Sequence, residues 1–456
     1  MINSATWAQD AVFYHIYPLG LCGAGNKNTF TSPPGNCFVQ LHNWIPHIKS
    51  MGCTALYLGP VFESSNHGYD TADYYNADRR LGTNHDLKIF SGHLHSEGIS
   101  LVLDAVFNHV GRDFWAFRDL KKNGPESRFK DWFCGIDFNC QSIYGDMFSY
   151  EGWNGNYDLV KLNLHNGEVR AHLLGAVATW ISDYQIDGLR LDVAEILDEA
   201  FMRELTLFCK SMRPDFWLMG EIIHGDYNRL VNKGMLDSVT NYEIFKGLYS
   251  SHNDANCFEI AYSLNRQFGE HGIYKRLHLY NFADNHDVNR VASTLKNSNH
   301  LFTLYTLLFT IPGIPSVYYG SEWGQTGVRS AEDDTQLRPK LKLIADTQAP
   351  PIYEHIKKLA FVRRSLPVLS YGSYRQLFVS HRLFVFTRFT DAAEMIVCVN
   401  TTAEPASVQV SLPGANGTQF IDQLNPDFIA VLQNGKLNIS HIPPYGSRLL
   451  LKVESV

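Results

Sequence analysis

Short apolar runs of strand length recur along most of the chain, and stretches with helical character separate them. This alternation is typical of βα units and predicts a parallel sheet of the α/β class. Eight such runs predict a closed (β/α)8 barrel, also called a TIM barrel, which collects functional side chains at the carboxyl ends of its strands. The runs begin near residues 12, 54, 100, 187, 216, 237, 277 and 314.

Two segments depart from this alternation. The longest gap lies between the third and fourth runs, and it is polar, aromatic and glycine-bearing. Because compact βα connections are short, this gap is predicted to be a small inserted domain after strand three. After about residue 365, β-forming segments separated by turn residues predict an all-β sandwich. The predicted domains are a barrel (1–109 and 166–365), an inserted domain (110–165) and a C-terminal sandwich (366–456).

The composition fits a globular protein with a neutral partner. Hydrophobic residues make up 45% of the chain and charged residues 19%, which suffices for one large domain and a smaller one. A formal charge of -7 without a long basic run argues against nucleic acid or an anionic membrane surface as the main partner. No apolar run has the length of a membrane span, and the first residues show no secretory signal. We therefore expect no membrane partner and a cytoplasmic location.

Eight cysteines are spread along the chain without the close pairs that metal sites use. In a chain without an export signal they are interpreted as reduced thiols of a cytoplasmic protein. Cys134 and Cys140 are the two that could lie near one another.

Three carboxylates follow strand-like apolar runs: Asp192, Glu221 and Asp287. In a barrel of parallel strands, such positions bring side chains together at one end. A retaining glycosidase needs two carboxyl groups about 5 Å apart, one as nucleophile and one as acid and then base, beside a positively charged transition state. A third carboxylate can stabilise that charge. The triplet therefore indicates cleavage of a glycosidic bond.

The surroundings of two of these acids assign roles to them. Arg190 lies two residues before Asp192, so on a strand both side chains point to the same side, and the guanidinium would hold Asp192 ionised and nucleophilic. Glu221 ends an apolar strand, where partial burial raises the affinity of a carboxyl group for its proton. Each acid alone is more often a helix cap or a surface ion pair. Their occurrence in four ordered motifs outweighs that interpretation.

These motifs, DAVFNH, GLRLDVAE, GEII and FADNHD, resemble those of the α-amylase family of glycoside hydrolases, and the resemblance covers essentially the whole chain. It implies a (β/α)8 barrel with a small domain after strand three and a C-terminal β-sandwich. It also implies that Asp192 is the nucleophile, Glu221 the acid/base and Asp287 the stabiliser of the transition state.

The same resemblance implies substrate-binding and orienting residues. His109 and His286 would hydrogen-bond the sugar under attack, while Arg190 and Asp104 would orient the nucleophile. Tyr69, in GYDTADYY, would stack beneath the reacting sugar. Two further residues, in DDTQLRP, would grip the next sugar: Asp334 and Arg338. A core tyrosine and a surface ion pair are the respective alternatives.

Within the family, the middle of the chain resembles the cyclomaltodextrinase, neopullulanase and maltogenic amylase group. That group usually carries an additional N-terminal β-domain, whereas this barrel is predicted to begin almost at once. The group typically has Val-Ala-Asn-Glu after the nucleophile, and this chain has Val193-Ala194-Glu195-Ile196. Those positions lie near the acceptor sugar in the family, so the departure bears on α-1,6 activity and on the balance of transfer against hydrolysis.

Asn108 matches a position that ligates structural calcium in many α-amylases. A hard cation of this kind would need several further oxygen ligands from the inserted domain. Members of the cyclomaltodextrinase-like group often lack the site, so Asn108 is interpreted as a residue that hydrogen-bonds its own loop. We expect no required cofactor and no metal ligands, with structural calcium as the alternative.

Together these features predict a retaining glycoside hydrolase that cleaves α-1,4-glucosidic bonds in maltooligosaccharides, cyclodextrins and related α-glucans, as a monomer or a homodimer. The nearest alternative is a transglycosylase on the same barrel, such as a glucanotransferase or a trehalose-forming enzyme. A second alternative is a catalytically inactive barrel that serves as a binding subunit. That alternative would require lost carboxylates, and this chain retains them.

Overall fold

A ring of eight parallel strands forms the centre of the molecule and confirms the predicted barrel. The computed structural model describes residues 5–330 and 333–453. Each strand begins within a few residues of the position that the apolar runs predict. The strands are numbered in chain order: β1 Phe13–Ile16, β2 Ala55–Leu58, β3 Ser100–Ala105, β4 Gly188–Leu191, β5 Trp217–Gly220, β6 Ser238–Val239, β7 Tyr280–Phe282 and β8 Ile314–Tyr318.

The strands pair in the order β6-β5-β4-β3-β2-β1-β8-β7. A single parallel bridge between Thr240 and Tyr280 joins the two ends of this sheet and closes the ring. Side chains reinforce the seam, since Ser238 Oγ donates to the carbonyl of His278 at 2.7 Å and Asn241 Nδ2 donates to Asn281 Oδ1 at 3.0 Å. The strands are buried on both faces, which explains why they are apolar runs rather than alternating patterns.

Helices surround the ring. Polar side chains cap several of their N-termini, as Thr83 does in a capping box with Asp86 and as Asn166 and Asp198 do by accepting backbone N–H groups. The helices of seven or more residues that flank the barrel are Trp44–Ser50, Asn84–Ser96, Gly167–Asp183, Glu199–Met212, Tyr242–Asn253, Cys257–Phe268, His300–Thr310 and Pro351–Ser365.

The segment between β3 and the helix Gly167–Asp183 folds on itself. It holds one α-helix, Trp115–Asn123, and a three-stranded antiparallel sheet of His109–Gly111, Gly152–Trp153 and Asn156–Lys161. This sheet lies beside the carboxyl ends of the barrel strands, because His109 and Asn156 both line the central cavity. The predicted domain boundaries themselves remain a prediction.

The C-terminal region confirms the predicted all-β domain. Its eight strands pair antiparallel, and they enclose an apolar core that includes Val385, Ile396 and Leu450. Residues on its other side, such as Phe384 and Leu449, join the main core of the barrel. The strands are β9 Ser373–Val379, β10 Leu383–Phe389, β11 Glu394–Asn400, β12 Ala406–Ser411, β13 Gln419–Asp422, β14 Ile429–Gln433, β15 Lys436–Ile442 and β16 Gly446–Val453.

The cysteines differ from the sequence prediction at one pair. Cys22 and Cys37 form a disulfide, with their Cα atoms 5.6 Å apart, so the prediction of a reduced thiol is wrong for both. The physical reason is the path of the loop after β1, which brings Cys22 to the first turn of the helix Cys37–Leu41. The other six cysteines are free, Cys134 and Cys140 included.

Among residues 5–330 and 333–453, no helix combines the length and the apolar character that crossing a bilayer requires.

Candidate active site

A cavity of about 1030 Å³ opens at the carboxyl ends of the barrel strands, and the three predicted carboxylates line it. Asp192 directly follows β4, Glu221 directly follows β5, and Asp287 lies in the loop after β7. The fold therefore delivers each acid from a different strand to one space, as the strand-end positions predict.

Arg190, on β4, joins three acids through one guanidinium. Its Nη1 lies 2.9 Å from Asp104 Oδ1 and 2.7 Å from Asp192 Oδ1, and its Nη2 lies 2.8 Å from Glu221 Oε1. The four side chains are buried, with exposed fractions of 9% or less. Because Asp192 and Glu221 contact two nitrogens of one planar group, their carboxyl groups lie side by side.

Three carboxyl groups surround the single guanidinium of Arg190, and this imbalance changes the protonation of the carboxyl groups. Burial raises the pKa of Asp192 well above its ordinary value, the carboxylates of Glu221 and Asp104 raise it further, and Arg190 opposes them. Burial likewise raises the pKa of Glu221, with a contribution from Asp287 and opposition from Arg190. The sequence prediction that Arg190 holds Asp192 ionised is therefore incomplete. Three carboxylates share one cation, so the cluster retains a proton that it can give to a leaving group.

The third acid has the opposite electrostatic environment. Asp287 Oδ2 lies 3.0 Å from His286 Nε2, and Asp287 Oδ1 lies 2.9 Å from Arg338 Nη2. Although burial acts in the other direction, His286 and Arg338 hold the pKa of Asp287 well below its usual range. Asp287 therefore carries a full negative charge at the cavity wall. The same guanidinium nitrogen of Arg338 lies 3.1 Å from Asp334 Oδ2, which gives the predicted pair.

Tyr69 links the two halves of the site. Its hydroxyl donates to Asp104 Oδ2 at 2.8 Å and contacts His286 Nε2. Its ring stacks on the imidazole of His286 with centroids 5.3 Å apart. Tyr57 also donates to Asp104 Oδ2 at 2.8 Å, so Asp104 is fixed by two tyrosines and by Arg190. The buried carboxylate of Asp104 thus orients groups that face the cavity.

His109 has an uncommitted ring nitrogen at the cavity. Its Nε2 is buried without a hydrogen-bond partner among the described residues and lies 3.9 Å from Asp192 Oδ2. Burial and the neighbouring His67 lower the pKa of His109 to about 3, so the ring is neutral at physiological pH. A neutral imidazole with a free nitrogen beside Asp192 is suited to bind a hydroxyl group of a ligand.

The structure brings all ten predicted residues together. Asp104, Arg190 and His286 lie behind the cavity wall, where they contact the residues that line it. The other seven line the cavity itself: Tyr69, His109, Asp192, Glu221, Asp287, Asp334 and Arg338.

Sequence reasoning missed many of the residues that line the cavity, and four of them serve as examples. Tyr17 follows β1 and stacks on His286 with centroids 5.8 Å apart, and its strand-end position was the signal that could have identified it. Tyr242 follows β6, and its hydroxyl lies 3.5 Å from Glu221 Oε1. Trp153, in the inserted segment, and Ile223, two residues after Glu221, also line the cavity. Trp153 belongs to a two-residue strand and Ile223 to an irregular turn, and neither is long enough to show a periodic pattern that indicates the direction of a side chain.

Asn108, the candidate calcium ligand, contacts two neighbouring protein groups. The side-chain amide of Asn108 lies 3.1 Å from Nδ1 of His109, and its backbone carbonyl accepts a hydrogen bond from Leu162. Over the described ranges, no group of three or more histidine, cysteine, aspartate or glutamate side chains has the arrangement of a metal site.

Comparisons with known proteins agree with this geometry. The family model of the α-amylase catalytic domain matches residues 41–352. A cyclomaltodextrinase from Geobacillus thermopakistaniensis (strain MAS1) is 30% identical over 100% of this chain and 79% of that protein.

Solved structures extend the similarity to three dimensions. A cyclomaltodextrinase structure superposes with a TM-score of 0.86 at 25% identity, covering 99% of this chain and 79% of the other. The cyclic α-maltosyl-(1→6)-maltose hydrolase from Arthrobacter globiformis superposes with a TM-score of 0.80 at 26% identity. That alignment covers 98% of this chain and 99% of the hydrolase, so the two proteins share their whole architecture.

Proposed function

This chain belongs to the α-amylase family of glycoside hydrolases, and from that premise we propose that it cleaves α-1,4-glucosidic bonds with retention of configuration. The proposed substrates are maltooligosaccharides, cyclodextrins and related α-glucans. The observation that carries the proposal is the contact of Asp192 and Glu221 with one guanidinium at the cavity wall. Two adjacent carboxyl groups suit the retaining mechanism, whereas the inverting mechanism needs room for a water molecule between them.

The residues divide the reaction into two steps. In the first, Asp192 Oδ attacks the anomeric carbon, the bond to the leaving oxygen breaks, and Glu221 gives that oxygen its proton. In the second, Glu221 takes a proton from water, the water oxygen attacks the anomeric carbon, and Asp192 is released. Asp287 stabilises the positive charge that develops on the sugar ring in both steps. Carboxylates supply every proton and the nucleophile, so we propose that no cofactor is required.

The free cysteines support a proposal about location. Six of the cysteines in the described residues are free thiols, which is typical of a reducing compartment, whereas the Cys22–Cys37 disulfide is typical of an oxidising one. We propose a cytoplasmic location on the balance of six free thiols against one disulfide.

The anomeric form of the first product tests the mechanism. We expect the wild-type protein to release the α-anomer from maltotriose, as followed by proton NMR within the first minutes, and Asp192→Ala to remain folded and lose turnover. Asp391→Asn, on the exposed surface of the C-terminal domain, is the matched control and should retain full activity. Release of the β-anomer, or near wild-type activity of folded Asp192→Ala, would contradict the proposal.

A product survey tests the substrate class. The pure protein is incubated with maltotriose, β-cyclodextrin, pullulan and soluble starch, and the products are identified over time. Glucose and maltose should accumulate from the first two substrates. Longer or rearranged sugars in their place would instead identify a transglycosylase.

A further inference from the structure

Two turns that follow neighbouring barrel strands are joined to each other beside the cavity. The first turn follows β4 and contains residues 192–196. The second follows β5 and contains residues 221–224. Because the first holds the nucleophile and the second holds the acid/base, the contacts between them set the relative position of the two reacting groups.

The first turn supplies a backbone donor to the acid/base. Val193 has φ 43° and ψ 42°, in the left-handed region that β-branched residues rarely occupy. In this conformation its backbone N–H donates to Glu221 Oε2 at 3.0 Å. The other oxygen, Glu221 Oε1, faces Arg190 Nη2 at 2.8 Å. Each oxygen of the acid/base is thus held by a group on or beside β4.

The first turn also supplies a side-chain acceptor to the second. Glu195 Oε2 accepts the backbone N–H groups of Ile223 and His224, each at 3.1 Å. The backbone carbonyl of Glu195 in turn accepts Nη2 of Arg229 at 2.6 Å. Glu195 therefore bridges from its own turn to the two residues that follow the acid/base strand.

The second turn is fixed from its other side by β6 and its continuation. The backbone N–H of Ile222 donates to Thr240 Oγ1 at 2.9 Å, and Thr240 Oγ1 donates to the carbonyl of Ile222 at 3.2 Å. Ile222 is buried, whereas Ile223 is 42% exposed and lines the cavity. Thr240 thus holds the buried side of the turn, and Glu195 holds the side that faces the cavity.

We propose that Glu195 is a positioning residue for the acid/base Glu221 and for the leaving-group side of the cavity, an inference that rests on the proposed function. The Glu195 side chain spans the gap to the second turn, and its negative charge strengthens both hydrogen bonds to the peptide N–H groups. Loss of this carboxylate frees the turn in which Glu221 and Ile223 are anchored.

The proposal predicts an effect that depends on the leaving group. A sugar leaving group must receive a proton from Glu221, whereas 2,4-dinitrophenolate leaves without one. Misplacement of the acid therefore slows cleavage of the sugar substrate and leaves cleavage of the aryl substrate unchanged. A general loss of folding slows cleavage of both.

The test compares Glu195→Ala and Glu195→Gln with wild-type protein on maltotriose and on 2,4-dinitrophenyl α-maltoside. For Glu195→Ala we expect kcat/KM to fall about tenfold or more on maltotriose and by about twofold or less on the aryl substrate. Glu195→Gln keeps an amide oxygen at the same reach and should recover most of the loss. Glu126→Gln, an exposed glutamate of the inserted segment, is the matched control and should behave as wild type on both substrates.

Equal losses on the two substrates, or no loss on either, would overturn the positioning role. Glu221→Gln separates this failure from a failure of the proposed function. Glu221 also serves as the base of the second step, so the comparison uses kcat/KM, which reports the first step alone. If Glu221→Gln loses kcat/KM on maltotriose and keeps kcat/KM on the aryl substrate, the acid assignment stands and the result for Glu195 tests only its positioning role. If Glu221→Gln lowers both kcat/KM values equally, the proposed function itself is wrong.

Discussion

Arg190 contacts Asp104, Asp192 and Glu221 at once, so three acids share one positive charge. In water such a cluster would ionise fully, because solvent screens the repulsion between carboxylates. In this buried site the repulsion remains, and retention of a proton relieves it. Because the pKa values of Asp192 and Glu221 are both raised, the proton is shared within this pair of carboxyl groups.

The raised pKa of Asp192 gives a prediction about stability. A carboxyl group whose pKa is higher in the folded than in the unfolded chain favours folding at low pH, and this contribution is lost as the pH rises toward the folded value. Asp192→Asn removes the ionisation and keeps an oxygen for Arg190. We therefore expect the unfolding free energy of Asp192→Asn at pH 8 to exceed that of wild type by about 1 kcal/mol or more, with a smaller difference at pH 5. Urea denaturation at the two pH values measures both differences.

Asp391→Asn serves as the control in the same titration and should show no change of this kind. A loss of stability in Asp192→Asn that is equal at both pH values would contradict the raised pKa of Asp192. It would show that the carboxylate contributes to stability only through its contacts.

At this scale the sequence predicts residues whose position depends on a strand end. Asp192 and Glu221 follow apolar runs directly, so the period of the strand indicates where their side chains go. Trp153, Ile223 and the bridging role of Glu195 were not predictable in this way. Their contacts join segments that are distant in sequence, so no local pattern in either segment predicts them.

The turn after β4 combines conformational strain with a hydrogen bond. Val193 adopts the left-handed conformation, which costs a β-branched residue about 1 to 3 kcal/mol. The surrounding structure compensates by directing the N–H of Val193 at Glu221. Strain of this kind persists where a function depends on the geometry. The apolar pattern of the strand does not predict it.

Replacement of Val193 tests this account. Val193→Gly relieves the steric clash and keeps the N–H, so we expect its free energy of unfolding to increase by about 1 kcal/mol after the entropic cost of glycine is subtracted. Urea denaturation at 25 °C measures the change. Val193→Ala keeps the Cβ atom and is the control, with a smaller gain. A Val193→Gly protein that is less stable than Val193→Ala would show that the side chain, not the backbone, decides the stability of this turn.

Among the elements, the barrel strands were predictable because burial on both faces favours apolar runs. The pattern is weakest at Ser238–Val239, which is only two residues long and has polar neighbours. The three-stranded sheet of the inserted segment was not predictable. Its strands, such as Asn156–Lys161, are largely exposed and polar at one end, so burial imposes no pattern on their sequence.

At the scale of the whole molecule, the disulfide joins a cavity wall to the body of the barrel. The loop after β1 lines the cavity through residues that include Leu19 and Asn26, and Cys22 lies between them. Cys37 begins a helix that packs against the helix Asn84–Ser96. The bond therefore limits how far this wall can move when a sugar binds.

Removal of the disulfide gives a prediction about both stability and binding. We expect the double variant Cys22→Ala/Cys37→Ala to lose about 3 kcal/mol of unfolding free energy at most, given the short loop that the bond closes. Its KM for maltotriose should rise because the wall is less ordered, and its kcat should change little. Wild-type protein treated with dithiothreitol should behave in the same way.

Cys140→Ala, at an exposed free thiol, is the matched control and should be unaffected. If wild-type protein has the same urea midpoint and the same KM with and without dithiothreitol, the pair does not act as a structural cross-link.

The seam of the barrel has a consequence for how activity is acquired during folding. One backbone bridge, from Thr240 to Tyr280, closes the ring, and the hydroxyl group of Thr240 holds the residue next to Glu221. The nucleophile, in contrast, depends on β3 and β4, which pair along their length. We therefore predict that, during refolding, the helical signal in circular dichroism and the burial of tryptophan return before turnover, because turnover requires the contact of Thr240 with Ile222 in addition to the pairing of β3 with β4.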